Sequence, residues 1–269
     1  MALWDRISSR GNVQDRRGSR VVGLGGGLGL TGIALLLLLN YLGGGEITDV
    51  LGPLTQGVVI NEQTDGSAFE GEDSYEVFAS TVLGSTNDLW NSAFSQAPYE
   101  EPTLVLFRGL TQSSCGGADA RVGPHYCPLD ETIYLDETFF DELTTRLGAQ
   151  GGDVAEAYVI AHEVGHHVQQ ELGIMDQVRT QEEAIKLELQ ADCFAGLWFH
   201  SIREAAVLEP GEIAEAMDAA AAVGDDRIQE RVTGRINPES WTHGSSAQRQ
   251  EWFNRGYETG SVNACNTFE

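Results

Sequence analysis

The sequence predicts an α+β domain, mostly helical with a small sheet, that follows one apolar segment long enough to cross a membrane. Three observations carry this. Residues 21–42 contain no charged side chain in 22 positions. Short β-like runs at 103–107 and 132–135 precede long stretches of helical periodicity, the order expected when sheet and helices segregate. The chain has 269 residues, 41% of them apolar, enough for one sizeable core.

Charge narrows the function classes. The chain has 41 acids against 16 bases, a net charge of −25. A nucleic-acid partner needs clustered Lys and Arg, so that class is excluded. An acidic surface with Lys186 as its single lysine suits a high-salt habitat, where self-repulsion is screened. The bases are unevenly placed: in residues 1–20, Arg6, Arg10, Arg16, Arg17 and Arg20 oppose only Asp5 and Asp15. As a helix, residues 21–42 would reach about 33 Å, against a hydrocarbon core of roughly 30 Å. The positive-inside rule then gives a basic cytoplasmic arm (1–20), one transmembrane helix (21–42) and an extracytoplasmic remainder at the cell membrane. A cleaved signal peptide is the competing reading, disfavoured by the length of the stretch and the lack of an A-x-A-like site. Gly27, Gly29 and Gly32 fit G-x-G-x-x-G, but no strand precedes them and they sit in the apolar run, so they make no nucleotide loop.

Residues 43–73 read as a linker, with glycines at its start and acids at its end. The domain proper is 74–269. A helix is expected over 74–94, stopped by Pro98 and Pro102, then a strand at 103–107, a Gly-rich loop at 111–128 and a strand at 132–135. Helices follow. Four cysteines without a C-x-x-C in an exported domain indicate disulfides. Of three connectivities, Cys115–Cys127 with Cys193–Cys265 is preferred. A second zinc site at Cys115, Cys127 and His125 fits no common spacing.

The chemistry concentrates at His162-Glu163-Val164-Gly165-His166. Asp153 and Glu156 read as a capping box and Gly173 as the residue just past the helix end, so one helix spans about 154–172. His162 and His166 then share a face, one turn apart, where both imidazoles can reach one zinc ion. Glu163 is placed to act as general base on a water. A catalytic zinc needs a third protein ligand and an open position. The next helix, 181–207, offers Glu188 as that ligand and Asp192, one turn on, as hydrogen-bond partner to a ligand histidine.

HEVGHHVQ followed by ELQADCFAG (188–196) resembles the neutral zinc metallopeptidases of the YpfJ-like family, bacterial membrane-anchored proteins. The likeness extends over nearly the whole chain: a leading W-x-x-R, NVQDRRG (12–18), GPHYCP (123–128), IYLDETFF (133–140) and THGSSAQRQEWFNRGY (242–257). It implies a zincin-like metallopeptidase domain with one Zn²⁺ per chain held by His162, His166 and Glu188, and Glu163 as base.

Peptide hydrolysis also needs a donor for the developing oxyanion. Thr242-His243-Gly244-Ser245 with Arg249 is similar to the T-H-P-S-x-x-x-R stretch of the HtpX and CAAX-processing zinc peptidases, with Gly244 in place of proline. His243 is therefore the candidate donor, and Arg249 is expected behind the ligands with Asp192. His167 and His200 read as packing residues and His125 as a possible cleft wall. Residues 132–135 are the candidate edge strand on which a substrate peptide would lie. The reading is a membrane-anchored endopeptidase acting on peptides or proteins. The alternative is a membrane-tethered scaffold that holds zinc for structure, distinguished by a closed fourth coordination position.

Overall fold

The structure is a computed structural model that describes residues 1–18, 73–94 and 98–268. These belong to one compact unit; a second unit, residues 19–66, lies outside the described residues, as do the expected transmembrane segment and nearly all of the linker. Among the described residues no helix is long and apolar enough to cross a membrane.

The elements run β1 (Val13–Asp15), α1 (Ser74–Ala93), β2 (Thr103–Leu106), β3 (Leu110–Ser113), β4 (Gly116–Asp119), β5 (His125–Cys127), β6 (Thr132–Leu135), α2 (Phe139–Thr145), α3 (Asp153–Glu171), α4 (Gln181–Ser201), α5 (Ile213–Ala222), α6 (Asp225–Thr233) and α7 (Ser246–Thr259). The α+β expectation holds. Strands β1, β2, β6 and β5 form one sheet in that order, parallel except for β5 on β6. Alternation along β2 and β6 divides their side chains between two clusters. Leu104, Leu106, Ile133 and Leu135 join the main helical core, while Val105 and Tyr134 join Phe107, Ala118 and Cys127 in a smaller one.

Several expectations need correction. The stretch 111–128 is not a plain loop: β3 and β4 form a hairpin, and β5 follows. Residues 132–135 are interior, flanked by β2 and β5, so among the described residues the sheet edges are β1 and β5, of which β5 lines the cleft. Asp153 and Glu156 form no capping box. Gly152 holds the cap position, and the Asp153 carboxylate accepts from the Ala2 backbone N–H at 2.9 Å and the Trp4 indole at 2.8 Å. Helix α4 ends at Ser201 rather than 207. Residues 1–18 are no separate arm. Val13–Asp15 pairs with β2, Leu3 N–H donates to Val207 O at 2.7 Å, and Trp4 packs on Phe78 and Trp198.

Helices α3, α4 and α7 are fixed by caps and by absent side chains. Thr180 with Glu183 caps α4 and Ser245 with Gln248 caps α7, each a reciprocal box. Helices α3 and α4 approach at Gly165, where a Cβ would lie 3.0 Å from the Ala191 Cα. Helices α4 and α7 approach closer still: a Cβ on Gly196 would lie 2.0 Å from Phe253 O, and one on Gly256 1.9 Å from Cys193 O. Both expected disulfides are formed, Cys115–Cys127 and Cys193–Cys265. The first ties the hairpin to β5 and the second ties α4 to the C-terminal segment.

Candidate metal centre

Helix α3 presents His162 and His166 on one buried face, and α4 crosses so that Glu188 meets both. Glu188 Oε2 lies 3.3 Å from His162 Nε2, and Glu188 Oε1 lies 3.4 Å from His166 Nε2. The three candidate ligand atoms all lie within 4.8 Å of one another. Tetrahedral ligands at zinc bond lengths of about 2.0–2.1 Å stand about 3.3–3.4 Å apart. Glu188 meets each histidine at that spacing through a different oxygen, and the full set, within 4.8 Å, needs only a small inward shift to close on one ion.

The other ring nitrogens are already held. His162 Nδ1 donates to Asp192 Oδ1 at 3.0 Å and His166 Nδ1 to Gln169 Oε1 at 2.9 Å, which leaves both Nε2 lone pairs for a metal. Asp192 is fully buried and accepts further from Arg249 Nε at 2.7 Å, Arg249 Nη2 at 2.9 Å and the Tyr158 hydroxyl. Gln169 is fixed in turn by donating to Leu187 O at 2.7 Å and Gln190 Oε1 at 3.0 Å. Asp192 and Arg249 thus lie behind the candidate ligands. Gln169, Tyr158 and Gln190 buttress this arrangement and were not anticipated: a Gln or Tyr two to four residues from a candidate ligand carries no sequence mark of its own.

The electrostatics suit a cation. Burial opposes charge on His162, but Asp192 and Glu188 outweigh it and raise the imidazole to about 9. His166 is raised in the same way, its burial outweighed by Glu188. Burial alone would push Glu188 up, yet the two histidines hold its carboxyl well below the usual range. A pocket that charges its histidines so readily has the field a dication requires.

Glu163 is buried beside the candidate ligands, and among the described residues its Oε2 has no hydrogen-bond partner. An orphaned carboxylate oxygen in a cleft is an acceptor kept for something outside the protein. The cleft has a volume of about 600 Å³ and is lined by the three ligand candidates, Glu163, His243, residues 123–126 at the start of β5, and apolar walls including Val159, Leu187 and Ile228. His125 is one of those wall residues, stacked on Tyr134 and bonded at Nδ1 to Gly123 O. His167 has an anchoring role: Tyr126 O–H donates to its Nδ1 at 3.0 Å and its Nε2 donates to Glu100 O at 2.6 Å, which fastens β5 to α3. Burial pushes this ring below its ordinary value, consistent with a neutral imidazole. His200 is remote from the cleft and donates to Tyr257 O at 2.8 Å.

The His243 loop is organised by a residue that the sequence did not single out. Asp225 Oδ2 accepts the backbone N–H groups of Thr242, His243 and Gly244 at 2.7, 2.6 and 3.0 Å, and Oδ1 lies 3.3 Å from His243 Nδ1. Burial would raise Asp225, but the hydrogen bonds from His243 and its neighbours win and lower it. Gly244 sits at φ +90°, which proline cannot adopt, so this loop cannot copy a T-H-P-S backbone.

A family model described as "putative neutral zinc metallopeptidase" matches residues 2–268. The chain is similar to a protein of Escherichia coli (strain K12) named as uncharacterized protein YpfJ, at 43% identity over 98% of each chain. It is also similar to uncharacterized protein Rv2575 of Mycobacterium tuberculosis (strain ATCC 25618 / H37Rv), at 48% identity over 63% of each. No solved structure matches. The match runs from the N-terminal segment through both ligand-bearing helices to the C-terminal residues, and on it the chain belongs to the neutral zinc metallopeptidase family.

Proposed function

We propose that this chain is a membrane-associated, zincin-like endopeptidase that uses one zinc ion, held by His162, His166 and Glu188. The observation that carries the proposal is the orphaned Glu163 Oε2 next to three converging ligand atoms. Zinc at these ligands would polarise the scissile carbonyl and lower the pKa of a bound water towards about 7. Glu163, with no competing partner, takes a proton from the attacking water and delivers it to the leaving amine. His243 steadies the oxyanion, and Asp225 orients that imidazole. The substrate backbone adds to β5, the free edge that lines the cleft, and its side chains meet the apolar walls.

The test is Glu163→Gln. It should bind one equivalent of zinc as the parent does and lose casein hydrolysis by at least about 10²-fold. Full turnover in this variant would refute the mechanism. Zinc binding by both proteins with no hydrolysis by either would return the scaffold reading.

A further inference from the structure

The N-terminal residues and the domain beyond residue 73 are one folded body, and this constrains how the chain meets a membrane. Strand β1 lies along β2 in the register Val13↔Leu104 to Asp15↔Leu106. Gly11 N–H donates to Ser80 O at 2.7 Å, and a Cβ on Gly11 would lie 2.5 Å from the Leu83 side chain. Ala2 and Ile7 are buried in the main core. At the other end of this segment, Arg17 Nη2 lies 2.7 Å from Asp73 Oδ2, and its Nη1 lies 2.6 Å from Glu137 Oε2. The points where the chain leaves the body and returns to it are therefore in direct contact.

A single crossing by residues 21–42 would place Arg17 and Asp73 on opposite sides of a hydrocarbon core of roughly 30 Å. The ion pair forbids that in the folded molecule. No second uncharged stretch of similar length lies between: residues 43–72 contain Glu46, Asp49, Glu62, Asp65, Glu70 and Glu72. The arginines that suggested an inward-held arm have other work. Arg17 joins Asp15, Asp73 and Glu137, Arg6 bonds to Ala206 O, and Arg16 reaches Gln14 and Gln112. The Arg17 charge belongs to the fold, so it is weak evidence for topology.

We infer that residues 1–18 and 73–268 occupy the same compartment, so that the chain between Arg17 and Asp73 makes no net crossing of a membrane and the N-terminus stays on the side of the metal centre. This replaces the single-pass orientation expected from the charge rule and does not depend on peptidase activity.

The experiment uses the full-length chain in intact bacterial cells. Ser8→Cys and Asn254→Cys, both at exposed positions, are made singly and probed with a membrane-impermeant maleimide before and after permeabilisation. Equal accessibility of the two positions, whether both label in intact cells or both only after permeabilisation, is the expected result. Labelling of one in intact cells and of the other only after permeabilisation would overturn the inference, as would a mature chain that lacks residues 1–42. Independently, Trp4→Ala should lower the thermal midpoint of the full chain by roughly 5 °C or more, because Trp4 is wedged between Phe78 and Trp198. An unchanged midpoint would also overturn it.

Discussion

Replacing Asp192 with Asn keeps the side-chain shape and removes one charge from a site with no exposure to water. The carboxylate accepts from Arg249 Nε at 2.7 Å and Nη2 at 2.9 Å, from His162 Nδ1 at 3.0 Å and from Tyr158. After substitution the Arg249 guanidinium remains buried, with the Tyr158 hydroxyl at 3.2 Å, Val223 O at 3.3 Å and, as nearest carboxylate, Glu188 at 3.9 Å to answer it. Stranding one member of a buried ion pair costs about 3–5 kcal/mol. Removing the group that orients a ligand histidine weakens metal by about 10–100-fold, or roughly 1.4–2.7 kcal/mol. The two losses separate by assay. Urea unfolding of the metal-free protein reads the first, and zinc competition against a chelator reads the second. If the single variant does not fold, Asp192→Leu with Arg249→Met removes both charges and should recover most of the metal-free stability, but not the zinc affinity. A metal-free change below about 1 kcal/mol together with zinc affinity within threefold of the parent would refute the reasoning, because nothing else in the site could make such a buried carboxylate neutral in effect.

Gly256→Ala puts a methyl 1.9 Å from Cys193 O and 2.8 Å from Leu197 N, both backbone atoms. It should cost about 3 kcal/mol or more, read by urea unfolding, whereas tolerance at parental stability would mean the α4–α7 contact is looser than described. His243→Ala should lower turnover by about 10²-fold with zinc content unchanged, and Asp225→Asn should lower it less while loosening the loop; a His243 effect under threefold removes it as the oxyanion donor. Burial first, then Asp153, Glu137 and Asp141, raise Glu156 from 4.5 to about 7. The folded state therefore holds a proton that the unfolded state releases. Stability is highest below the unfolded pKa and falls as pH rises through about 7. Because this carboxyl is only half-buried, the loss is on the order of 1–2 kcal/mol. Glu156→Gln should abolish it, checked by unfolding free energies at pH 5 and 8; parallel curves for parent and variant would sink the assignment.

What the sequence made legible was local. His162, Glu163 and His166 lie within one helix whose end is marked by Gly173, which does adopt the left-handed conformation of such an end at φ +67°. Glu188 and Asp192 repeat the same one-turn spacing in the next helix. Helical geometry alone puts each pair on one face, so little tertiary information was needed. The errors came where a residue had two competent partners. Asp153 and Glu156 have the spacing of a capping box, but a cap interaction is worth only about 1 kcal/mol. A half-buried Trp4 packed between aromatic rings outbids that, and its indole takes the carboxylate instead. Residues 132–135 were recognisable as a strand, but nothing in four residues says whether β5 will pair outside them.

The N-terminal strand shows the same limit with larger consequences. Val-Gln-Asp is too short and too polar to announce a strand, because its stability comes from a partner about 90 residues away. Meanwhile the surrounding arginines satisfy a statistical rule about membranes that takes no account of what each arginine touches. Arg17 illustrates why such a rule fails here. Its side chain is 5% exposed and surrounded by Asp15, Asp73 and Glu137, so it is a fixed internal counter-ion rather than a free cationic flank. In a chain with this excess of acids, a base near the N-terminus can be recruited by carboxylates of its own fold, as Arg17 is, instead of facing a membrane surface. Asp225 went unnoticed for the complementary reason: among 41 acids, the one that gathers three backbone N–H groups beneath His243 has no local signature and is distinguished only by where the chain returns to it.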